Sequence, residues 1–285
     1  MLLTKAYAKI NLGLNIINKD SQDAYHNLDM VIAPIELHDR IEIELLPNGF
    51  DTLITSDDHE LPTDETNIVS KVEKALRARC NYKENFRIHI HKIIPIGAGL
   101  GGGSADGAAV LLALNKLLKL KLSIEELCEI GQKVGSDIPF CIYNQTARVQ
   151  GKGGILTPIK NKKRYAILLL FPKKGLSTKD TYLKYDEVGT TSNADIEGII
   201  EALQKDNLPL LIKSMGNQLE DAAESLYPDL VNIKKEMLES GLDNVLMTGS
   251  GSALFSISSD YKKLKKINTL LLEKGYNVVL TETKG

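Results

Sequence analysis

Pro95-Ile96-Gly97-Ala98-Gly99-Leu100-Gly101-Gly102-Gly103-Ser104-Ala105-Asp106 joins an alternating, strand-like run at 86–94 to an apolar, helix-like run at 108–114. Without Cβ atoms, its glycines allow sharp turns and bring backbone N–H groups close to a ligand. A helix start adds N–H donors and the positive end of the helix dipole. Residues 95–105 of this stretch are called the glycine loop. The loop predicts an anion site, and the anion most often held this way is a phosphate.

Two common phosphate-binding patterns do not fit the glycine loop. Gly97, Gly99 and Gly102 have the spacing of the dinucleotide-binding fingerprint, but that fingerprint needs a second strand about 20 residues on. Residues 115–122 look instead like the end of a helix. The Walker pattern needs a lysine after its last glycine, and Gly103 stands there. A glycine-rich hairpin tip without a ligand stays open as the structural alternative, although flexible linkers rarely separate a strand from an apolar helix.

Three further segments accompany the glycine loop. They are Ala-Tyr-Ala-Lys-Ile-Asn-Leu-Gly-Leu at 6–14, Gly-Ser-Asp-Ile-Pro-Phe at 135–140 and Met-Thr-Gly-Ser-Gly-Ser-Ala-Leu-Phe at 247–255. Together and in this order the four segments resemble the motifs of the GHMP kinases, the galactose, homoserine, mevalonate and phosphomevalonate kinases. The resemblance implies an ATP-dependent kinase of the α+β class. It also implies two domains: a mixed β-sheet with helices at 1–155, and an α/β sandwich at 156–285.

The apolar periodicity agrees with an α+β chain. It predicts strands at 6–16, 30–37, 40–46, near 53, 164–171, 244–247, 253–257 and 277–280. It predicts helices at 66–79, 196–205, 208–223, 230–240 and 261–273, and a further helix whose N-cap is Ser123. Gly, Pro and Lys cluster at 151–163, which favours a domain boundary there.

The family resemblance assigns ATP to the glycine loop. The residues implied to contact it are Pro95, Gly97, Ala98, Gly99, Leu100, Gly101, Gly102, Gly103, Ser104 and Ala105, with Asn67 at the adenine. Mg²⁺ is expected because ATP phosphates are its usual partners, and no protein metal ligand is predicted. Ser104 is predicted to cap the helix, and its hydroxyl can also serve the metal or a phosphate. A Mg²⁺ ion between Ser104 and Asp106 would explain a carboxylate so close to an anion site.

Asp137 and Lys9 are the candidate catalytic residues. Phosphoryl transfer needs alignment of the acceptor hydroxyl and neutralisation of charge on the phosphate oxygens. Asp137 lies in a short turn and is the candidate base, and the resemblance places Lys9 beside it. A cation there keeps the carboxylate ionised and favours the acceptor oxygen as it loses its proton. The structural alternatives are a helix cap or turn former for Asp137 and a solvated strand-edge side chain for Lys9.

The segment Asp23-Ala24-Tyr25-His26 bears on the acceptor. It resembles the Asp-Gly-Tyr-His signature of a branch of the family that phosphorylates a cytidine-diphospho sugar alcohol on the way to isoprenoid precursors. The resemblance implies that His26 hydrogen-bonds the cytosine edge, that Tyr25 and Tyr182 stack on the base, and that Asn11 contacts the substrate.

Three positions depart from that branch. Ala24 replaces a glycine, Gln218 an aspartate and Ser252 a proline. These departures leave two alternatives: a related kinase with another alcohol acceptor, and a non-catalytic relative that binds ligand without turnover. The presence of both Lys9 and Asp137 argues against the second.

Composition excludes other classes of protein. A net charge of −2 and the lack of a basic stripe argue against nucleic-acid binding. No apolar run approaches the ~18 residues of a membrane span. The three widely spaced cysteines predict reduced thiols and a cytoplasmic protein. The expected oligomeric state is a monomer or a homodimer. His89 and His91 share a strand face, but without a third ligand nearby in sequence they predict a solvated face rather than a metal site.

Overall fold

A computed structural model describes residues 1–20, 25–161 and 163–284. The strands are β1 Leu2–Lys19, β2 His26–Leu45, β3 Leu53–Ser56, β4 Phe86–His91, β5 Ala147–Gly151, β6 Ile155–Pro158, β7 Ala166–Phe171, β8 Gly216–Asn217, β9 Leu246–Met247, β10 Leu254–Ser258 and β11 Asn277–Glu282. The helices are α1 Ile68–Cys80, α2 Gly102–Leu117, α3 Ile124–Gln132, α4 Ile138–Tyr143, α5 Thr178–Val188, α6 Ile196–Gln204, α7 Leu208–Ser214, α8 Glu220–Leu226, α9 Asp229–Glu239 and α10 Tyr261–Glu273.

The residues group into two compact units. Unit 1 comprises Met1–Ala8, Leu37–Ile96 and Gly101–Asn144. Unit 2 comprises Lys9–Glu36, Gly97–Leu100 and Gln145–Gly285. Strands β1 and β2 contribute residues to both units. The domain limits expected from the sequence, 1–155 and 156–285, stay a prediction.

Unit 1 is built on a small sheet with helices on one face. β4 lies between β2, which is antiparallel to it, and β3, which is parallel to it. Ile88 and Ile90 of β4 are buried in one core with α1 and α2. His89, between them, points to the other face of the sheet. Small residues let the two helices approach closely: a Cβ on Gly107 of α2 would lie 2.9 Å from the Ile68 side chain of α1.

Unit 2 contains, within the described ranges, an antiparallel sheet in the order β11-β7-β10-β9. β7 is buried along its whole length, which explains its continuous apolar sequence. α10 packs on β7 and β11 through Leu264, Ile267 and Leu271, spaced three and four residues apart. β1 pairs with β8 in parallel, and β2 pairs with β5, which continues to β6.

The structure confirms the α+β class and most of the predicted elements. Two predictions of extent are wrong. The predicted strands 30–37 and 40–46 are one strand, β2. The predicted helix 208–223 is divided into α7 and α8, because Gly216 and Asn217 between them pair with β1. In the described ranges no helix combines the length and apolar character needed to cross a bilayer.

Candidate active site

The glycine loop leads into α2 as a turn followed by a helix start. Gly97 and Gly101 have φ values of 69° and 68°, the left-handed region that favours glycine. Gly101 is the N-cap of α2, and the first helical hydrogen bond runs from the Ala105 N–H to the Gly101 carbonyl (2.8 Å). The amides of residues 102–104 therefore precede that bond, at the positive end of a 16-residue helix. This is the geometry of a phosphate site.

Some glycines of the loop have a packing role as well. A Cβ on Gly99 would lie 2.2 Å from the Thr248 carbonyl oxygen, so Gly99 allows the loop to touch the C-terminal glycine motif at 247–255. A Cβ on Gly103 would lie 2.9 Å from the Ile68 side chain. Close approach of protein segments therefore accounts for part of the glycine content that the sequence alone attributes to a ligand.

Ser104 does not cap α2, contrary to the prediction. The helix begins two residues earlier, at Gly102, and its N-cap Gly101 has no side chain to donate or accept. Ser104 lies instead inside the first turn. Its hydroxyl oxygen is 3.7 Å from the position that a Cβ on Gly135 would occupy. The turn that carries Asp137 thus faces the first turn of α2 within unit 1.

Asp106, in the first two turns of α2, belongs to a buried ion network. Its carboxylate accepts from the Lys92 ammonium (2.9 Å), which also donates to Asp39. All three side chains are at least 97% buried. Asp39 in turn accepts from the backbone N–H groups of Ile93 and Ile94, where β4 meets the glycine loop. The ion pair with Lys92 explains the carboxylate near the helix start without a Mg²⁺ ion between Ser104 and Asp106.

The charge balance of this network is uneven. Burial is the largest effect on Asp106 and raises its pKa to about 7. The Lys92 ammonium lowers this pKa, but the Asp39 carboxylate raises it and so opposes Lys92. Burial lowers the pKa of Lys92, but the two carboxylates outweigh that effect and raise it. One oxygen of Asp106, Oδ1, has no hydrogen-bond partner among the described residues. One cation thus compensates two carboxylates beneath the start of α2.

Asp137 occupies the N-cap position of α4, a short helix that the sequence did not predict. Its side chain makes no capping hydrogen bond to that helix. The structural alternative of a helix cap therefore does not account for Asp137. The residue is partly buried, in the turn beside Ser104 of unit 1.

Lys9 lies in the interior of unit 2, so the alternative of a solvated strand-edge lysine is wrong. The residue is 5% exposed, and its ammonium donates to Asn11 Oδ1 at 2.7 Å. Its backbone N–H donates to the carbonyl of Leu100 in the glycine loop (3.0 Å). A Cβ on Gly249 would lie 3.2 Å from the Lys9 ammonium, so the missing side chain leaves room beside the charge.

Two polar residues not predicted as site residues, Asn217 and Thr248, connect the segments around Lys9. The Asn217 amide donates to the carbonyls of Met247 (2.9 Å) and Gly249 (2.8 Å) in the C-terminal glycine motif. The Thr248 hydroxyl accepts from the Asn11 backbone N–H at 3.0 Å. Asn11 and Asn217 are at most 1% exposed. The sequence signal for Asn217 was its position directly after a glycine. A buried asparagine amide needs hydrogen-bond partners, which are commonly backbone groups.

Asn67 has a structural role in unit 1. It is the N-cap of α1, where its side-chain oxygen accepts from the Val69 N–H at 2.7 Å. Its side-chain NH₂ donates to the Pro62 carbonyl. The contact with adenine implied by the family resemblance stays a prediction.

Two of the residues expected to bind cytosine, His26 and Tyr182, come together in unit 2. The His26 ring stacks on Tyr182 with 4.9 Å between centroids and 25° between planes. Its Nε2 lies 2.8 Å from Asp186 Oδ1, and Lys19 pairs with the other oxygen of that carboxylate. Hydrogen bonds from Lys19 and then His26 hold the pKa of Asp186 below its ordinary value. Tyr25, next in sequence, is 65% exposed.

Two of the departures from the family pattern, Gln218 and Ser252, make hydrogen bonds that connect segments of unit 2. The Gln218 side chain accepts from the Ile16 N–H (2.7 Å) and donates to Asn193 (3.3 Å). The Ser252 hydroxyl donates to the Lys174 carbonyl (2.6 Å). Both residues therefore join segments of unit 2. Ala24 lies outside the described residues.

Comparison with known proteins identifies this architecture. Residues 67–145 match the GHMP kinases N terminal domain, and residues 199–276 match the GHMP kinases C terminal domain. A relative from Clostridium perfringens is 40% identical over 256 residues, which cover 90% of this chain and 88% of the relative. A relative from Geobacillus sp. is 40% identical over 269 residues, which cover 93% of this chain and 91% of the relative.

Solved structures agree with these matches. A crystal structure of 4-(cytidine 5'-diphospho)-2C-methyl-D-erythritol kinase has a TM-score of 0.82 and 28% identity, with full coverage of both chains. A homoserine kinase from Cytophaga hutchinsonii has a TM-score of 0.71 at 18% identity, covers 99% of this chain and 94% of its own, and shares the fold.

The chain belongs to the GHMP kinase family, and it is an ATP-dependent kinase. The two relatives from Clostridium perfringens and Geobacillus both carry the name 4-diphosphocytidyl-2-C-methyl-D-erythritol kinase. At 40% identity over nine-tenths of its length, the chain falls within that group of the family.

Proposed function

We propose that this kinase transfers the γ-phosphate of ATP to a hydroxyl of 4-diphosphocytidyl-2-C-methyl-D-erythritol. The observation that carries this proposal is the stacked pair of His26 and Tyr182, anchored by Asp186. Such a pair suits a cytosine base, and a base is what separates this acceptor from the small alcohols of other GHMP kinases. The names of the relatives support the same acceptor.

The proposed roles in phosphoryl transfer follow from burial and charge. The glycine loop binds the ATP phosphates through the amides at the start of α2. Asp137 accepts the proton of the acceptor hydroxyl, since it lies partly buried in the turn that faces the first turn of α2. Lys9, held by Asn11, supplies a fixed positive charge in a site of low dielectric, where charge acts strongly. Tyr25 remains a proposed stacking partner of the base.

Mg²⁺ is proposed to accompany ATP. When bound, it neutralises negative charge on the phosphate oxygens. The Ser104 hydroxyl, in the first turn of α2, is a suitable oxygen donor for it. Asp106 is less suitable, because its carboxylate is buried and one of its oxygens is paired with Lys92. The proposed setting of the reaction is the reducing cytoplasm, where widely spaced cysteines such as Cys80, Cys128 and Cys141 stay reduced thiols.

Recognition of cytosine is proposed to depend on the Nδ1 atom of His26. With Nε2 facing the Asp186 carboxylate, a neutral imidazole has its proton on Nε2 and a lone pair on Nδ1. That lone pair accepts a hydrogen bond from the exocyclic amino group of cytosine. Uracil has a carbonyl oxygen at the same position and cannot make this bond. Asp186 and Lys19 thus act on the base by positioning His26.

An acceptor panel tests the proposed activity. We expect the purified protein with Mg-ATP to phosphorylate the cytidine-diphospho substrate and to leave homoserine, mevalonate and galactose unchanged, as followed by ADP release and mass spectrometry. Transfer to one of the other alcohols alone would replace the proposed acceptor. ATP binding without transfer to any of them would mean a non-catalytic relative.

Replacing His26 with Ala is expected to weaken substrate binding while the Kd for ATP stays within about twofold. The wild-type protein should prefer cytidine diphosphate over uridine diphosphate by about threefold to tenfold, the value of one hydrogen bond, and the variant should lose this preference. Competition binding against the substrate measures both nucleotides. His59→Ala, at an exposed histidine, is the control and should keep the preference. An equal loss of ATP affinity in His26→Ala would contradict the proposed base site.

A further inference from the structure

The outer face of the unit 1 sheet carries a cluster of histidine and carboxylate side chains that the kinase reaction does not use. His89 and His91 of β4 point away from the core that Ile88 and Ile90 join. The sequence offered no third ligand, but β3 runs parallel to β4 and delivers Asp57 at its end. One ligand atom from each of Asp57, His89 and His91 lies within 4.8 Å of the others.

One distance within the cluster, now spanned by a hydrogen bond, matches metal coordination. Two ligands about 2.0–2.1 Å from a tetrahedral ion are about 3.3 Å apart. Asp57 Oδ2 and His91 Nδ1 are separated by 3.2 Å. The two imidazole centroids are 4.5 Å apart with planes at 78°, so the rings do not cover each other. The three ligand atoms lie within 4.8 Å of one another, so each pair has to close by at most about 1.5 Å to hold an ion.

Each of the three side chains also has a polar partner outside the cluster. His89 Nδ1 lies 2.8 Å from the Thr55 hydroxyl, which leaves Nε2 as its ligand atom. His91 Nε2 lies 3.2 Å from the Glu42 carboxylate, which leaves Nδ1. The second oxygen of Asp57 accepts from the Lys92 backbone N–H at 2.8 Å. Partners of this kind fix the orientation of metal ligands and raise the basicity of imidazole.

We propose that Asp57, His89 and His91 form a binding site for a divalent transition-metal ion such as Zn²⁺. Two imidazole nitrogens and one carboxylate oxygen are ligands that suit Zn²⁺, Co²⁺ and Ni²⁺ better than Mg²⁺ or Ca²⁺. Three protein ligands leave the fourth tetrahedral position for water. The site lies on the sheet face opposite the core of unit 1 and adds to the proposed kinase function without depending on it.

Titration of the tag-free, metal-free protein with Co²⁺ and Zn²⁺, without nucleotide, tests the site. We expect one ion per chain, a visible Co²⁺ absorption of tetrahedral intensity, and displacement of Co²⁺ by Zn²⁺ in calorimetry. His89→Ala and His91→Ala should each weaken Zn²⁺ binding at least about tenfold. Asp57→Asn should also weaken it, while its side-chain oxygen still accepts from Lys92.

His59→Ala is the matched control, because His59 is exposed and lies only two residues from Asp57. It should bind Zn²⁺ with the affinity of the wild type. Affinities of the His89 and His91 variants within twofold of the wild type, with circular dichroism confirming their fold, would overturn the proposal. So would a loss of binding in His59→Ala equal to theirs, or a wild type that shows no saturable binding.

Discussion

Asp137→Asn is expected to lower kcat by about 10²–10⁴-fold and to leave the Kd for ATP unchanged. Asparagine keeps the size and polarity of the side chain but cannot take the proton of the acceptor hydroxyl. The substitution should not disturb α4, because Asp137 makes no capping hydrogen bond to it. Steady-state rates give kcat, calorimetry gives the Kd for ATP, and circular dichroism shows whether the fold is kept.

The matched control for this substitution is Asp195→Asn. Asp195 is the N-cap of α6 and accepts from the Gly198 N–H, a role that asparagine fills equally well. Its kcat should stay within about twofold of the wild type. Product release limits kcat in many kinases, so a single-turnover measurement is needed to see the full effect on chemistry. An unchanged single-turnover rate in Asp137→Asn would remove Asp137 from the role of base.

The elements predicted best were those with a complete local signal. α10 has the predicted limits Tyr261–Glu273, because an amphipathic pattern follows an Asp260 side chain that caps the helix. α3 likewise has the predicted N-cap, Ser123, in a full capping box. The prediction of a single helix over 208–223 was wrong because the signal that interrupts it is not local. Its interruption at Gly216 depends on pairing with Gly13, about 200 residues away, and tertiary contacts override local propensity at such a point.

The candidate site was predicted in part. The sequence indicated the glycine loop, and the family resemblance indicated Lys9 and Asp137, since these features lie in short motifs. The contacts that hold them are not local. Asn11 meets Thr248 across 237 residues, and Asp57 reaches the two histidines from another strand. Asp106 was misjudged because its partner Lys92 looks, in sequence, like an ordinary charged residue after a strand.

Lys92→Met is expected to lower the free energy of unfolding by about 3–5 kcal/mol, because it leaves two buried carboxylates without their cation. Methionine keeps the length and apolar stem of lysine, so the loss reports the charge. Urea denaturation followed by circular dichroism measures it. Lys74→Met is the control: Lys74 pairs with Glu65 on the surface with 55% of its side chain exposed, and surface pairs contribute about 0–1 kcal/mol.

The pH dependence of this loss separates charge from packing. Asp106 has a pKa of about 7 in the folded protein against an ordinary value of 3.8, so the folded state binds more protons between about pH 4 and 7. Stability from this group therefore falls as pH rises through that window. Without Lys92 the pKa of Asp106 rises further. The deficit of Lys92→Met should therefore be largest near pH 8 and smaller near pH 5, where the loss of the ion pair with Asp39 remains.

A second substitution completes the test. In the Lys92→Met background, Asp106→Asn removes one of the two buried charges and should restore part of the lost stability at pH 8, with little effect near pH 5. A loss that is the same at every pH, and unaffected by Asp106→Asn, would assign Lys92 a packing role instead. Its ammonium would lie 3.0 Å from a Cβ on Gly102, so its stem supports the start of α2, and a packing defect there would show no dependence on protonation.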